Sequence, residues 1–294
     1  MPSIPAAPFS SDHRARITSI ASISASTASP GLRCGPGALR HHGEVDDAHR
    51  IGSGRREEDA EAEFLSVVGH RAPPDGILDD MQLTHFGHSC ILVEHLGAKL
   101  LFDPGNFSHG FEGITGLDAI LVTHQHPDHA DTTRLPALLE ANPGAQLFSD
   151  PQSANLLDGD WTAVRPGDSF SVGSLTVRGT GGRHAVIHPD MPVIDNTAFL
   201  VGDDENPSRL LHPGDSLYIP HERVDVLALP STAPWLKIWE AIDYLRAVNP
   251  RVAVPIHQGI VNDNGRGIFY GRYSEMAPEG TEFRVLPHED GVEV

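Results

Sequence analysis

The sequence predicts a layered domain of the α/β or α+β class over residues 81–294, on three observations. Short runs rich in β-branched and other apolar residues recur from Met81 onward, which is typical of strands. Many of the turns between them carry Gly, Pro, Asn or Asp. Two segments show the spacing of helices. Strands interrupted by occasional helices favour mixed sheets that are covered by helices.

Residues 1–80 have a different character and are rich in Ser, Ala, Pro, Gly and Arg. Runs such as SIASISASTASPG and RREEDAEAE show no sustained period, and such a segment buries too little apolar surface to fold. We therefore predict a disordered tail or upstream extension over residues 1–80. The abrupt change at Met81 suggests a downstream translation start there, with a natural disordered tail as the alternative.

The first half of the predicted domain opens on the strand-like pattern QLTHFGHSCILVEH. A helix is predicted over residues 131–141, after the fourth strand. The predicted strands of this half cover residues 82–86, 89–95, 98–102 and 118–123.

The second half contains five predicted strands, at residues 174–180, 197–201, 209–212, 224–229 and 252–256. A helix is predicted over residues 235–248, because its apolar residues lie at spacings that make one face. They are Trp235, Ile238, Trp239, Ile242 and Leu245. This spacing assigns Trp235 and Trp239 to the core. The Gly-rich stretch at residues 262–267 predicts a mobile loop at the rim of a site.

The composition restricts the partners and the location of the protein. The formal net charge is −19, and residues 81–294 hold 13 basic and 28 acidic side chains, so a phosphate-tracking basic patch is not expected. No apolar run has the length of a membrane span, and no signal peptide is recognisable. Cys34 and Cys90 are too few for a disulfide framework. We expect a cytoplasmic protein without nucleic-acid or membrane partners, whose oligomeric state stays open.

The strongest local signal is an apolar strand that ends in three histidines and an aspartate. His124 and His126 point the same way in an extended chain, while Asp128 and His129 follow on a turn. Imidazoles and carboxylates suit Zn, Mn or Fe, and clustering them is costly without a positive charge among them. A solvated His-rich loop is the alternative, but the pattern His-x-His-x-Asp-His after an apolar strand favours metal binding.

This loop is the hallmark of the metallo-β-lactamase superfamily, which the chain resembles over about residues 81–290. The family also has an early aspartate, a lone histidine, a lone aspartate and a final histidine, each at a strand end. The chain has matching residues in the same order, which are Asp103, His184, Asp215 and His257. The resemblance implies the family's four-layer αββα sandwich.

The resemblance also implies two divalent metal ions, with Asp215 bridging them. The first metal would be held by His124, His126 and His184, and the second by Asp128, His129 and His257. Asp128 and Asp215 are the candidate catalytic residues, as groups that accept or relay a proton. The donor set leaves the metal open, with Zn or Mn favoured.

Three further residues are candidates for contacts around the metals or with a substrate. Asp103 would orient a ligating histidine. His88 belongs to a Gly-His-Ser element that resembles the branch containing ascorbate-phosphate lactonase-like proteins and uncharacterised metal-dependent hydrolases. A hydrogen-bonded structural role is the alternative for His88. His188 could face the cleft, with an ordinary loop histidine as the alternative.

The function implied is a metal-dependent hydrolase, in which two metals activate a hydroxide that attacks a small ester, lactone or phosphorylated metabolite. The alternatives are a metal-dependent oxidoreductase and a non-catalytic metal-binding protein of the same fold. His126 stands where the flavodiiron pattern has an acidic residue, which argues against a redox role. The acidity of the domain argues against a nuclease.

Overall fold

The computed structural model describes residues 81–294, so the predictions for residues 1–80 lie outside the described residues. Within the described range, two seven-stranded mixed sheets contain all the strands. The strands of the first sheet are β1 (Gln82–His85), β2 (Ile91–His95), β3 (Ala98–Phe102), β4 (Ala119–Val122), β5 (Gln146–Ser149), β6 (Thr162–Ala163) and β14 (Gly291–Glu293). Their order across the sheet is β14-β1-β2-β3-β4-β5-β6.

The second sheet is built from the middle and the end of the domain. Its strands are β7 (Ser169–Val172), β8 (Leu175–Gly181), β9 (Thr197–Gly202), β10 (Leu210–His212), β11 (Val226–Pro230), β12 (Val252–Ile256) and β13 (Glu282–Phe283). Their order is β13-β12-β11-β10-β9-β8-β7. The helices are α1 (Leu135–Ala141), α2 (Pro151–Leu156), α3 (Ile238–Val248) and α4 (Asp263–Met276). None of these helices has the length and apolar character needed to cross a bilayer.

Three apolar clusters show that the elements stack in four layers. The core between the sheets includes Phe102 of β3 and Phe199 of β9. Leu101, the neighbour of Phe102, faces the opposite side and packs with Leu138 of α1, as the alternation of a strand requires. Tyr273 of α4 packs on the outer face of the second sheet, together with α3. The four-layer αββα sandwich predicted from the resemblance is confirmed.

Two central strands end just before residues that the sequence predicts as metal ligands. β4 is parallel to both of its neighbours, β3 and β5, and all four of its residues are buried. β12 is likewise buried along its whole length and parallel to β11 and β13. Strands covered on both faces read as continuous apolar segments. Each therefore fixes the position of a candidate ligand just beyond its end, which is His124 for β4 and His257 for β12.

All nine predicted strands are present, with ends that differ by at most two residues. The helix predicted from residue 131 begins at Leu135, because the carboxylate of Asp131 accepts hydrogen bonds from the N–H groups of Thr133 and Arg134 and forms a turn. The helix predicted from residue 235 begins at Ile238. The assignment of Trp239 to the core is wrong, since this residue is 55% exposed on the outer side of the helix. The prediction of a loop over residues 262–267 is wrong, since this stretch forms the capped start of α4.

Candidate metal centre

The seven predicted ligands lie at one edge of the sandwich, each after the carboxyl end of a strand. The loop with His124, His126, Asp128 and His129 follows β4, and His184 follows β8. The remaining two are Asp215, which follows β10, and His257, which follows β12. The sheets thus bring together side chains that are up to 133 positions apart in the sequence.

The side chains form two groups, and within each group the candidate ligand atoms all lie within 4.8 Å of one another. One group is His124, His126, His184 and Asp215, and the other is His88, Asp128, His129 and His257. The second group therefore contains His88 in addition to the three residues expected there.

Asp215 lies between the two groups. Its Oδ1 is 3.1 Å from Nε2 of His129 and 3.1 Å from Nε2 of His257. Its Oδ2 is 3.3 Å from Nε2 of His184, in the other group. One carboxylate therefore reaches histidines of both groups, which is the arrangement that a bridging ligand requires.

Hydrogen bonds outside the centre fix the orientation of three histidines. Nδ1 of His129 donates to Asp103 Oδ2 at 2.7 Å, Nδ1 of His184 donates to the Ala185 carbonyl at 2.6 Å, and Nδ1 of His257 donates to the Thr232 carbonyl. Because these partners are acceptors, the hydrogen of each neutral ring lies on Nδ1. The lone pair on Nε2 then points into the centre.

The Nε2 atoms of these three rings and Asp215 Oδ1 are buried without a hydrogen-bond partner among the described residues. Acceptor atoms that approach within 3.1–3.3 Å repel one another unless a proton or a metal cation lies between them. A buried polar atom without a partner costs roughly 1–3 kcal/mol, and four such atoms converge here. The donor set therefore fits divalent metals.

His124 and His126 show the same convergence. Nε2 of His124 is 3.0 Å from Nδ1 of His126. Two nitrogen ligands of a tetrahedral zinc, each bound at 2.0–2.1 Å, lie roughly 3.3 Å apart, so the spacing of these two nitrogens is close to that of a zinc site. Nδ1 of His124 donates to Thr123 Oγ1 at 3.1 Å, and this hydroxyl donates to Asp103 Oδ2 at 2.8 Å. Asp103 thus orients His124 through Thr123, and His129 directly.

Asp103 occupies a backbone conformation that is uncommon for a residue with a side chain. Its φ is +45°, and His88 and His257 also have positive φ, at +48° and +64°. Three of the six non-glycine residues with positive φ in the described range therefore lie in this centre. Such conformations persist where the surrounding structure fixes them, and they are concentrated at functional sites.

His88 is held by both of its ring nitrogens. The N–H of Gly259 donates to Nδ1 at 3.1 Å, so the hydrogen of the neutral ring lies on Nε2 and is donated to Asp128 Oδ2 at 3.0 Å. The ring packs 4.0 Å from that of His257, centroid to centroid. Burial lowers the pKa of His88 to about 4, so the ring is neutral near pH 7. These contacts make His88 a support for Asp128.

The electrostatics differ from one side chain of the centre to the next, and they favour a neutral His124, an ionised Asp215 and a charged His129. Burial, with a further contribution from His129, holds the pKa of His124 well below its usual value. Burial opposes ionisation of Asp215, but His257 and His129 outweigh it and keep the pKa of Asp215 low. Burial also opposes the charge of His129, yet Asp215 and Asp103 raise its pKa. A proton on this ring supplies a positive charge that a bound cation would replace.

A cavity of about 430 Å³ opens above the two groups. Trp235 lines this cavity, and its Nε1 donates a hydrogen bond to Asp215 Oδ2 at 2.8 Å. The sequence assigned Trp235 to the core and did not predict this polar contact. The apolar spacing of the predicted helix gave no sign of the contact between Trp235 and Asp215.

His188 is not among the described residues that line the cavity. Its side chain is 60% exposed, and its Nδ1 accepts a hydrogen bond from the Asp190 N–H.

Comparison with known proteins agrees with this geometry. The family described as beta-lactamase superfamily domain matches residues 82–257. Protein Rv0786c of Mycobacterium tuberculosis is 63% identical over 212 residues, which cover 72% of this chain and 99% of that protein. A UPF0173 metal-dependent hydrolase of Carboxydothermus hydrogenoformans is 30% identical over 196 residues, covering 60% of this chain and 84% of that protein.

Among solved structures, Igni18, a metallo hydrolase from the archaeon Ignicoccus hospitalis, has a similar fold. Its TM-score is 0.55 at 21% identity, over 72% of this chain and 97% of that one. The family match extends from the start of β1 to His257 and includes every residue of the two groups. The chain therefore belongs to the beta-lactamase superfamily.

Proposed function

We propose that this protein is a metal-dependent hydrolase of small esters, lactones or phosphorylated metabolites, with two divalent ions, Zn or Mn, at the centre described above. The convergence of Asp215 on histidines of both groups carries the proposal. The superfamily membership and the printed name of the Carboxydothermus relative, metal-dependent hydrolase, support it.

The ligands of one ion would be His124, His126 and His184, those of the other Asp128, His129 and His257, and Asp215 would bind both. Two divalent ions bound there would lower the pKa of a water and polarise the carbonyl or phosphoryl oxygen of a substrate. His88 stands outside this ligand set, because Gly259 and Asp128 already engage its two nitrogens.

The chain's own groups supply positioning and a proton acceptor. The side chain of Asp128 is 22% exposed and lines the cavity, whereas that of Asp215 is 5% exposed. Asp128 is therefore the carboxylate better placed to take a proton from an attacking water, while His88 holds its Oδ2. Cys90 is fully buried, and burial raises the pKa of its thiol, so it is no nucleophile.

Metal content and hydrolysis, measured on the same preparations of the full chain, test the proposal. After removal and restoration of metal, we expect about two equivalents per chain and hydrolysis that depends on them. Asp215→Ala should bind fewer than two equivalents and lose turnover, and His188→Ala, a histidine on the surface, is the matched control. Hydrolysis that persists without metal, or a native chain that retains none, would overturn the proposal.

A further inference from the structure

The walls of the cavity above the metal centre are apolar. Phe107, Ile187 and Ile260 line it with exposed fractions of 44%, 37% and 43%. Pro234 and Trp235 complete this side of the cavity. Large apolar side chains that stay exposed and converge on one cavity are typical of a binding surface. These five residues, called the apolar wall below, lie beside the candidate ligands.

The polar groups of the cavity are almost all candidate metal ligands. They are His126, Asp128, His184, Asp215 and His257, and the remaining polar residue of the lining is Asn106. No lysine or arginine belongs to this lining within the described range. A substrate would therefore find its polar contacts at the floor of the cavity and apolar contacts at the wall.

Two features that could otherwise receive an anion lie outside the lining of this cavity. Arg183 lines a neighbouring pocket, and its guanidinium donates to the Val193 carbonyl. At the start of α4, the side chain of Asn262 accepts from the Gly265 N–H, and Asp263 adds a negative charge in the first turn. Apart from the two ions of the proposed centre, a phosphate group would find no cationic partner in the lining, so a dianion would keep charge that the walls do not compensate.

We infer that the substrate is a small uncharged carboxylic ester or lactone with an apolar substituent, which packs on the apolar wall while its ester bond lies over the candidate ligands. This inference rests on the proposed function. A volume of about 430 Å³ is within the range of small-molecule cavities. In the reaction, water adds its hydroxyl to the acyl carbon, the acyl C–O bond breaks, and a proton goes to the leaving oxygen.

A series of substrates of increasing chain length tests the inference on the metal-loaded full chain. With 4-nitrophenyl acetate, butyrate and hexanoate, we expect kcat/KM to rise about three- to fourfold per methylene until the wall is covered. We expect 4-nitrophenyl phosphate and bis(4-nitrophenyl) phosphate to be poorer substrates than the hexanoate. A flat chain-length series, or a preference for either phosphoester, would overturn the inference.

Variants connect the chain-length effect to the apolar wall. Phe107→Ser and Ile260→Ser should lower the gain per methylene to less than twofold, because each removes exposed apolar surface from the cavity. Leu156→Ser is the matched control, since Leu156 is 66% exposed and lies in a different pocket. The inference fails if the control changes the series as much as the wall variants do.

Binding to metal-depleted protein gives a readout that does not depend on turnover. In isothermal titrations, uncharged n-alkanamides should bind more tightly as their chain lengthens, by about three- to fourfold per methylene. Phe107→Ser should reduce this gain in affinity. If the affinity rises with chain length but the protein shows no metal-dependent turnover, the proposed function is contradicted. Metal-dependent turnover without any chain-length effect would contradict only the inference about the substrate.

Discussion

The indole of Trp235 donates a hydrogen bond from Nε1 to Oδ2 of Asp215 at 2.8 Å. The same oxygen lies 3.3 Å from Nε2 of His184, and Oδ1 faces His129 and His257. The N–H of Asp215 donates in turn to Asn196 Oδ1 at 2.9 Å. Trp235 thus holds the carboxylate of Asp215 and Asn196 its backbone, in the position from which the side chain reaches both groups of the centre.

Trp235→Phe should therefore impair the centre without removing the aromatic ring from the cavity. Loss of a hydrogen bond to a charged group leaves Asp215 freer to rotate, and we expect metal affinity or kcat to fall 10- to 100-fold. Metal titration and kinetics on one ester check this. Trp239→Phe is the matched control, because Trp239 is 55% exposed on α3. Equal effects of the two substitutions would contradict a role for the indole N–H.

Asp103→Asn should weaken metal binding although Asp103 is not in the ligand set. Its carboxylate accepts from the N–H and hydroxyl of Thr123 and from Nδ1 of His129, and an amide cannot serve all three donors. We expect a 10- to 100-fold loss of metal affinity, measured by competition with a chelator. Asp118→Asn is the control, because the Asp118 carboxylate accepts a hydrogen bond from the Lys99 N–H, away from the centre. Its metal affinity should stay within about twofold of the native value.

Gly105 permits the close approach of two loops, and Gly105→Ala should disturb the loop that carries Asp128. A Cβ at Gly105 would lie 1.7 Å from the backbone oxygen of Asp128 and 2.5 Å from the N of His129, so the backbone itself must move. We expect a loss of about 3 kcal/mol in the free energy of unfolding and weaker metal binding. Gly113→Ala, whose Cβ meets nothing within 4 Å, should change neither quantity. Unchanged metal binding in Gly105→Ala would contradict this reasoning.

The sequence predicts the central strands well because burial on two faces leaves an unmistakable apolar run, as in β4 and β12. It misses five shorter strands, which are β5, β6, β7, β13 and β14. Two of them, β6 and β13, have two residues each and no period to recognise. The family resemblance and the order of the motifs named the seven candidate ligands. Their roles as ligands remain predictions, which the metal titrations above test.

Other features of the centre depend on tertiary contacts that no local pattern reports. α4 begins in a stretch with Gly265 and Gly267, which disfavour helix, and packing of Tyr273 against the second sheet outweighs that preference. The contact between Trp235 and Asp215 joins residues 20 positions apart. The pairing of His88 with Asp128 spans 40 positions and becomes visible only once β1 and β4 are in one sheet.

A second buried polar contact joins the two sheets far from the metal centre. Nε2 of His95, at the end of β2, lies 2.9 Å from Asp203 Oδ2, beyond the end of β9. The guanidinium of Arg209 also pairs with Asp203, whose side chain is 3% exposed. Burial would raise the pKa of Asp203, but hydrogen bonds from Arg209, from the Asn206 N–H and from His95 outweigh it and hold that pKa well below its usual value.

This shift predicts how stability depends on pH. Because the folded pKa of Asp203 is below the unfolded value of about 3.9, the ionised carboxylate stabilises the fold above that pH, and the contribution is lost as the pH falls toward the folded pKa. Asp203→Asn should therefore lower the free energy of unfolding by about 2–3 kcal/mol at pH 7 and by less at pH 3. Urea denaturation of both proteins from pH 7 to pH 3 measures the difference in the free energy of unfolding.

Asp225→Asn is the control, because it removes the exposed ion pair between Asp225 and Arg251. It should lower the free energy of unfolding by less than about 1 kcal/mol at either pH. A difference between native and Asp203→Asn that stays constant from pH 7 to pH 3 would show that the charge of Asp203 does not stabilise the fold.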